Sequence, residues 1–320
     1  MDSPNFNRSR RQQFLTPQLY ERTLINEFEL IEVHKEGTTS YEEGTEEYVV
    51  SFEMLYLEEL WLWMLSYTAG MPLADLARGF KNVVDRFEIW NDKFQGHMKN
   101  LAVEFPENGA YAYNGAPDFN VLSEYVDTLQ MLSIAILLRD TKSVKRIAWI
   151  LRSHRGTDAL FEELLEPFVD DEVLCDYCIH GEPFDTLVES FFTEHDSAII
   201  EKISSYSERW YPAMEQHPRW YDGHLHVGMS GAAPYFGYWA FEAAATAFLL
   251  DVDSRGIQSI VFPRDLVTFA NLLRDEDRST NNVNERPSAL RVQGGRNAQM
   301  LDSGKHQERS TAEHSLTKMC

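Results

Sequence analysis

Apolar residues recur along most of the chain at intervals of three and four positions, which is the spacing of one face of an α-helix. The clearest stripe follows Pro72, a residue that suits the first position of a helix. Its members are Leu73, Leu76, Ala77, Phe80, Val84, Phe87, Trp90 and Phe94. Similar stripes lie at residues 122–136, 144–151, 187–192, 199–210 and 266–273. Strand signals are short, so the predicted fold class is all-α.

The helical pattern breaks at residues 153–157, where the sequence reads SHRGT. A chain of 320 residues is long enough for about two domains of ~150 residues each. We therefore predict two helical-bundle domains, at residues 13–153 and 157–278. Asp118 is predicted to cap the helix that follows it, and Thr157 is predicted to cap the first helix after the break.

The C-terminal residues 281–320 differ in kind from the rest. They are rich in Asn, Gln, Ser, Gly and Arg and nearly lack aromatic and β-branched apolar side chains. Such a composition cannot bury enough apolar surface to offset the entropy of ordering a chain. The sequence therefore predicts a disordered C-terminal tail.

No segment of the sequence indicates export or membrane insertion. No apolar run reaches the ~18 residues of a transmembrane helix, and no apolar stretch of signal-peptide length follows the basic N-terminus. Cys175, Cys178 and Cys320 form an odd and sparse set, which is typical of a reducing compartment. The predicted location is the cytoplasm.

The chain is strongly acidic, with a net charge of −22 from 51 Asp and Glu against 29 Lys and Arg. Residues 1–12 and 281–320 each carry +2, so residues 13–280 carry −26. A surface of this charge repels nucleic acid and anionic membranes and attracts basic partners. Acidity also keeps a protein soluble, so the charge by itself does not identify a partner.

One acid, Glu242, lies within the aromatic segment PYFGYWAFEAAATAFLLDVDS at residues 234–254. The segment, from Tyr235 onward, is predicted to be a central helix, apolar nearly all round, whose alanines allow another helix to approach closely. Burial raises the pKa of a carboxyl group unless the group is paired, and an unpaired buried carboxylate is costly. We interpret Glu242 as a structural anchor that accepts a hydrogen bond from a tyrosine, a loop histidine or an arginine. Glu242→Gln is expected to lower stability.

An alternative interpretation of the same region is a catalytic or metal site. His217, Asp222, His224 and His226 precede the segment, and with Glu242 they supply the residue types of a two-histidine, one-carboxylate metal set. The spacing is a weak signal, because no HExxH motif accompanies it. A helical hydrolase that uses His224, His226 and Glu242, with or without a metal, stays open as the alternative function.

The other motifs of catalysis are incomplete. Cys175, Cys178 and His180 form only half of a zinc site, and the CxxC pair lacks the βαβ context of a redox motif. The sequence contains no GxSxG, GxxxxGK or GxGxxG motif. We therefore predict no catalytic residue, no metal ligand and no cofactor.

The segment PYFGYWAFEAAATAFLLDVDS, followed by FPRDLVTFA, resembles the C-terminal domain of the PoNi immunity proteins. These are the partners of PoNe nuclease effectors in interbacterial competition. The family pattern is a GYW-x-[FW]-E-A-A-A start, a leucine-rich end with Asp residues, and a YYP-x-DL element. The matching residues are Gly237, Tyr238, Trp239, Phe241, Glu242, Ala243, Ala244, Ala245, Asp251, Asp253, Phe262, Pro263, Asp265 and Leu266. The chain departs from the pattern at DVDSRG and VFPRDL, and the clear resemblance covers about residues 205–270. By position and helical character, residues 13–150 are similar to the N-terminal helical domain of the same family.

The resemblance implies an immunity protein that binds a cognate DNase toxin, in a setting linked to type VI secretion, without catalysis or cofactor. A DNase surface that holds a phosphate backbone is rich in Lys and Arg, and an anionic body is complementary to it. The expected mechanism is occlusion of the toxin's DNA site by an acidic face, with no direct contact between this chain and nucleic acid. A helical scaffold protein without a toxin partner is a third possibility.

Two acidic clusters are candidates for the toxin interface. The first consists of Glu42, Glu43, Glu46 and Glu47, and the second consists of Asp170, Asp171, Glu172 and Asp176. The second precedes Tyr177, an aromatic residue of the type found at the centre of interfaces. A solvated acidic face is the competing interpretation of either cluster.

Overall fold

The structure, a computed structural model, describes residues 3–104, 117–171, 173–215, 220–225 and 234–284. Regular structure in these ranges consists of α-helices and short 3-10 turns without strands, which confirms the all-α fold class. None of the helices described there is both long enough and apolar enough to cross a membrane. The first helices are α1 (Ser3–Ser9), α2 (Pro17–Ser40), α3 (Glu46–Thr68), α4 (Leu73–Glu104), α5 (Leu122–Leu137) and α6 (Thr141–Ile150). The later helices are α7 (Ala159–Leu165), α8 (Phe184–Phe191), α9 (Asp196–Ala213), α10 (Phe241–Leu249) and α11 (Arg264–Asn284).

The apolar stripe after Pro72 forms the inner face of α4. Phe80, Val84, Phe87 and Trp90 are all buried there, and α4 packs against α3 and α6. Helix α3 is also covered by α2 on another side, so it is apolar over much of its circumference, as a central helix must be. The spacing of apolar residues therefore predicts correctly which face of α4 is buried.

Residues from both halves of the chain share one hydrophobic core. The rings of Trp61 in α3 and Phe236 are stacked, with their centroids 5.3 Å apart, and α10 packs against α5, α8 and α9. The described residues up to Ser279 belong to one compact unit. The predicted division into bundles at 13–153 and 157–278 is therefore not confirmed, because the apolar faces of the two halves are buried against each other.

Both predicted helix caps were wrong. Asp158, rather than Thr157, is the N-cap of α7, because its Oδ1 accepts a hydrogen bond from the backbone N–H of Phe161 at 2.9 Å. The Thr157 hydroxyl donates to a carbonyl of the preceding turn at 2.7 Å. Asp118 accepts from the backbone N–H of Asn120 at 2.9 Å and closes a turn before α5 begins. In both places a local turn uses the polar side chain that the sequence pattern assigned to the helix.

The two ends of the chain differ from their predicted roles. Residues before the predicted domain start at 13 are part of the fold, since Phe6 is buried in the core. Helix α11 continues to Asn284, so the first four residues of the predicted tail 281–320 are helical. The remainder, 285–320, lies outside the described residues.

Candidate functional site

The aromatic segment begins as extended chain rather than as helix. Residues 234–240 have no helical structure, and α10 starts at Phe241. The prediction of a helix from Tyr235 onward was therefore wrong at its N-terminal end. The reason is that side chains from distant parts of the chain bind the backbone groups of this segment, and those groups are the ones that a helix needs for its own hydrogen bonds.

Gln12 holds the segment through both atoms of its buried amide. Its Nε2 donates to the carbonyls of Tyr238 at 2.6 Å and Ile260 at 3.1 Å. Its Oε1 accepts from the Tyr235 hydroxyl at 2.7 Å and from the backbone N–H of Tyr238 at 2.9 Å. One side chain near the N-terminus thus satisfies four polar groups that would otherwise be buried without partners.

Gly237 is required because Thr68 of α3 approaches the backbone closely. The Thr68 Oγ1 lies 2.5 Å from the carbonyl oxygen of Phe236 and accepts a hydrogen bond from Trp239 Nε1 at 2.8 Å. Gly237 has a φ of +106°, and a Cβ added there would lie 2.2 Å from Thr68 Oγ1 and 2.2 Å from Trp239 Nε1. The glycine and the tryptophan of the GYW motif are therefore explained by packing.

Glu242 lies in the first turn of α10 and is buried. The Tyr206 hydroxyl of α9 donates a hydrogen bond to Glu242 Oε1 at 2.6 Å. Loss of hydration raises the pKa of Glu242 to about 7, while the hydrogen bond from Tyr206 and the nearby Trp210 N–H act in the opposite direction. A tyrosine was one of the three donors predicted for this carboxylate, and the contact links α9 to α10.

The alanines of the motif allow the close approach predicted for them. Ala243 and Ala244 are fully buried, and the helix that carries them packs against α5, α8 and α9. A larger side chain at either position would have to displace one of these helices, because protein interiors have little free volume.

The second part of the motif anchors the start of α11. Asp265 accepts hydrogen bonds from the Arg11 guanidinium and from the Tyr67 hydroxyl. The backbone N–H of the buried Leu266 donates to the Pro263 carbonyl at 3.1 Å. These contacts tie α11 to α3 and to the N-terminal segment, so the second motif element also has a structural role.

The described residues do not assemble the alternative hydrolase site. The Asp222 carboxylate accepts from the Tyr211 hydroxyl at 2.6 Å, and His224 Nδ1 lies 2.5 Å from the Tyr238 hydroxyl oxygen. Glu242 bonds elsewhere, to Tyr206, and no group of three His, Cys, Asp or Glu in the described part of the chain is arranged to hold a metal. His217 and His226 lie outside the described residues.

The environment of the cysteine pair disfavours the thiolate form of both residues. Burial and the nearby Asp158 carboxylate raise the pKa of Cys178 to about 12, which disfavours the thiolate needed for nucleophilic attack or metal binding. The pKa of Cys175 is also raised by burial. His180 Nε2 lies 2.7 Å from the Phe119 carbonyl oxygen, so this histidine is engaged with backbone.

The first acidic cluster surrounds the turn between α2 and α3. Glu42, Glu43, Glu46 and Glu47 are all exposed. Glu43 pairs with Lys93 of α4 at 3.1 Å, an exposed contact of little energetic weight. The cluster is therefore available to a partner without breaking any buried contact.

The second acidic cluster lies on the irregular segment between α7 and α8. Asp170, Asp171 and Asp176 are exposed, whereas Glu172 lies outside the described residues. Asp171 pairs with Arg155 at 3.1 Å, and this guanidinium lowers the pKa of the Asp171 carboxyl. Tyr177 is 62% exposed, so aromatic and acidic side chains share this segment.

Residues 156–266 match the family model of the C-terminal part of the PoNe immunity proteins (PoNi). The predicted resemblance to PoNi is thereby confirmed. All nine motif residues assigned a structural role lie inside the matched range: Gly237, Tyr238, Trp239, Glu242, Ala243, Ala244, Pro263, Asp265 and Leu266. No curated protein matches the chain.

The fold also occurs in a solved structure. The crystal structure of protein PA2201 from Pseudomonas aeruginosa superimposes with a TM-score of 0.63, covering 85% of this chain and 95% of that one. The two sequences are 16% identical, so this similarity concerns the fold alone. It extends well beyond the segment matched by the PoNi family model.

Sequence reasoning missed the partners that hold the PoNi motif. Gln12 was placed in a basic N-terminal stretch outside the predicted domain, and Thr68 is one of several polar residues in α3. Neither residue belongs to a recognisable motif. Each contacts a position more than 150 residues away in the sequence, so local sequence patterns do not reveal the contact. The only available signal was that buried polar groups of the aromatic segment require partners.

Proposed function

We propose that this chain is an immunity protein that binds a cognate nuclease toxin of the PoNe type and neutralises it without catalysis. The observation that carries the proposal is the match of residues 156–266 to the C-terminal part of the PoNe immunity proteins. The motif residues of that region are engaged in packing and internal hydrogen bonds. Recognition of a partner is thus assigned to the exposed surface.

Inhibition works by charge complementarity in this proposal. A nuclease must hold a phosphate backbone, so its DNA-binding surface is rich in Lys and Arg. Residues 13–280 carry a net charge of −26, which speeds encounter with such a surface and disfavours acidic partners. An acidic face seated on the toxin's DNA site excludes the substrate sterically and electrostatically.

The segment between α7 and α8 supplies one candidate part of that face. Leu174 is 88% exposed and Tyr177 is 62% exposed, and both lie among Asp170, Asp171 and Asp176. Interfaces gain most of their affinity from a few aromatic or apolar residues that become fully buried. Acids around such residues set orientation and association rate.

Survival and binding assays test the proposal. The chain is co-expressed with a candidate nuclease toxin of the PoNe type, and an inactivated form of that toxin is used for affinity measurements at low and high salt. We expect rescue of growth, co-purification, and an affinity that falls as salt rises. Failure of the unaltered chain to rescue or bind, or turnover of a small molecule by the purified chain, would contradict the proposal.

Charge reversal tests which of the two acidic clusters lies in the toxin interface. Glu42→Lys/Glu46→Lys and Asp170→Lys/Asp176→Lys are compared with Glu201→Lys/Glu208→Lys, a matched pair of exposed acids on α9. Charge reversal of a cluster in the interface should lower the affinity for the toxin and weaken the salt dependence of that affinity. Charge reversal of the α9 control should change neither quantity. A cluster whose reversal changes neither quantity is outside the interface.

A further inference from the structure

Helix α2 carries two large apolar residues on the side that faces solvent. Leu19, Thr23, Glu27 and Gly37 are buried along its length. Ile25, by contrast, is 53% exposed and Phe28 is 54% exposed. The large apolar residues of an amphipathic helix ordinarily face the core, and exposed large apolar residues grouped on one face are typical of an interaction site.

The contact of α2 with α3 includes a polar pair and a close approach. His34 Nδ1 lies 2.7 Å from Glu58 Oε1 of α3, and a Cβ at Gly37 would meet the Ser51 hydroxyl of α3 at 2.3 Å. The helix makes its main contacts with α3 and α1. These contacts and the buried Leu19 fix the inner face of α2, and Ile25 and Phe28 lie outside that face.

Five exposed residues of α2 lie along one side of the helix, and the exposed Val33 and Lys35 flank them. Ile25, Phe28, Glu29, Glu32 and Glu36 follow one another at intervals of three, one, three and four residues, which places them on a single face. We call this set the α2 outer face. It spans about three turns of helix, or roughly 16 Å at 1.5 Å per residue.

The polar residues of the α2 outer face are all acidic. Glu29, Glu32 and Glu36 are exposed, and Glu21 extends the series by one turn toward the N-terminus. The nearest exposed base, Lys35, pairs with Glu32 at 2.7 Å. Two apolar side chains surrounded by carboxylates fit a partner that offers an apolar pocket rimmed by Lys or Arg.

We propose that the α2 outer face is the docking site for the nuclease toxin, with Phe28 and Ile25 buried in the complex and the glutamates paired with its basic side chains. This inference rests on the proposed function. It assigns toxin binding to a surface that lies outside both acidic clusters. The first acidic cluster, at Glu42–Glu47, follows the α2 outer face in the sequence, so the face and the cluster can form one acidic surface.

The chemistry of the face disfavours other occupants. A second copy of the chain joined by twofold symmetry would bring the same patch to both sides and place glutamates opposite glutamates. An anionic membrane surface is repelled by the same carboxylates. A basic protein satisfies both the apolar and the acidic residues.

Truncation of the apolar residues tests the docking site. The double variant Ile25→Ala/Phe28→Ala is titrated with the same inactivated PoNe-type nuclease toxin. We expect affinity to fall about tenfold or more, because residues buried at an interface centre typically cost that much on truncation to alanine. The matched control is Val103→Ala/Leu272→Ala, two exposed aliphatic residues on α4 and α11, which should bind like the unaltered chain.

Charge reversal on the same face gives a second readout. Glu29→Lys/Glu36→Lys should slow association and weaken its salt dependence, whereas Glu201→Lys/Glu208→Lys should not. Unchanged melting temperatures for all variants would show that the losses concern binding, because every altered side chain is exposed.

The outcomes separate this inference from the proposed function. If the unaltered chain does not bind the toxin, the proposed function fails and the docking site fails with it. If the unaltered chain binds and both α2 variants bind equally well, only the docking site is overturned. A concentration-dependent dimer that Phe28→Ala abolishes, with toxin affinity unchanged, would assign the face to a second copy. Faster hydrogen exchange in α2 when the chain ends at Asn284 would assign it to residues 285–320. Either result overturns the docking site.

Discussion

Replacing Glu242 by glutamine removes a buried carboxyl group. The fold stabilises the protonated form of this group relative to the charged form, so its contribution to stability depends on pH. Burial raises the pKa of this group from 4.5 to about 7. Between these values the folded state binds more protons than the unfolded state, so the unfolding free energy falls as pH rises. A shift of this size corresponds to about 3 kcal/mol in total, at about 1.4 kcal/mol per pKa unit.

The glutamine variant should lose that dependence on pH. Its side-chain carbonyl can still accept from Tyr206, but its NH₂ group would be a buried donor in place of Glu242 Oε2, which has no hydrogen-bond partner among the described residues. The mismatch should cost about 1–2 kcal/mol, as for other imperfectly satisfied buried groups. Glu242→Gln should therefore be less stable than the unaltered chain at pH 5. The difference in unfolding free energy between the variant and the unaltered chain should vanish or reverse by pH 8. By that pH, Glu242 of the unaltered chain has lost its proton and with it about 2 kcal/mol of stability.

Urea unfolding at pH 5, 6, 7 and 8, followed by tryptophan fluorescence, measures the effect. Tyr206→Phe removes the donor that favours the charged form, so it should make the pH dependence steeper. Glu201→Gln, at an exposed position on α9, should leave the profile unchanged. Parallel profiles for the unaltered chain and Glu242→Gln would refute this account of the carboxyl group. Toxin affinity per folded molecule should stay unchanged if Glu242 is structural.

Three further substitutions and one control probe the framework of the motif through the same unfolding measurement. Gly237→Ala should destabilise the fold by about 3 kcal/mol or more, because φ is +106° and the new Cβ would overlap Thr68. Gly79→Ala, within α4 where a Cβ meets nothing within 4 Å, should instead stabilise by about 0.5–1 kcal/mol, and equal effects at the two glycines would contradict the packing argument. Gln12→Ala should cost about 3 kcal/mol, because four buried polar groups lose a partner, and a loss below about 1 kcal/mol would show that water replaces them. Asp265→Ala should cost about 1–2 kcal/mol through the loss of its bonds with Arg11 and Tyr67, and an unaffected variant would remove this contact from the framework.

The sequence allowed the helical class and many buried faces to be predicted because these features depend on local spacing. The stripe through Phe80 and Phe87 identified the inner face of α4, and the aromatic segment was correctly predicted to be buried. The PoNi resemblance was also local, since its residues lie close together in the chain. Helix starts were less predictable: Asp118 and Thr157 have capping side chains but use them in turns that precede the helices.

The α2 outer face was not predicted, although its residues lie within one helix. Apolar residues of a helix are expected to face the core, and the apolar pattern alone does not show that Ile25 and Phe28 lie outside it. Their position follows from the burial of Leu19, the pairing of His34 with Glu58 and the approach of Ser51 to Gly37, which turn the opposite side of α2 toward α3. The candidate binding surface is a consequence of this packing.

The sequence by itself determined a helical, acidic chain with a PoNi-like motif built around a buried glutamate. Tertiary structure decided that the motif begins as extended chain, that Gln12 and Thr68 hold it, and that both halves share one core. The physical reason is the range of the interactions. Apolar periodicity and net charge can be read along the chain, whereas hydrogen bonds between positions far apart in sequence exist only once the helices have packed.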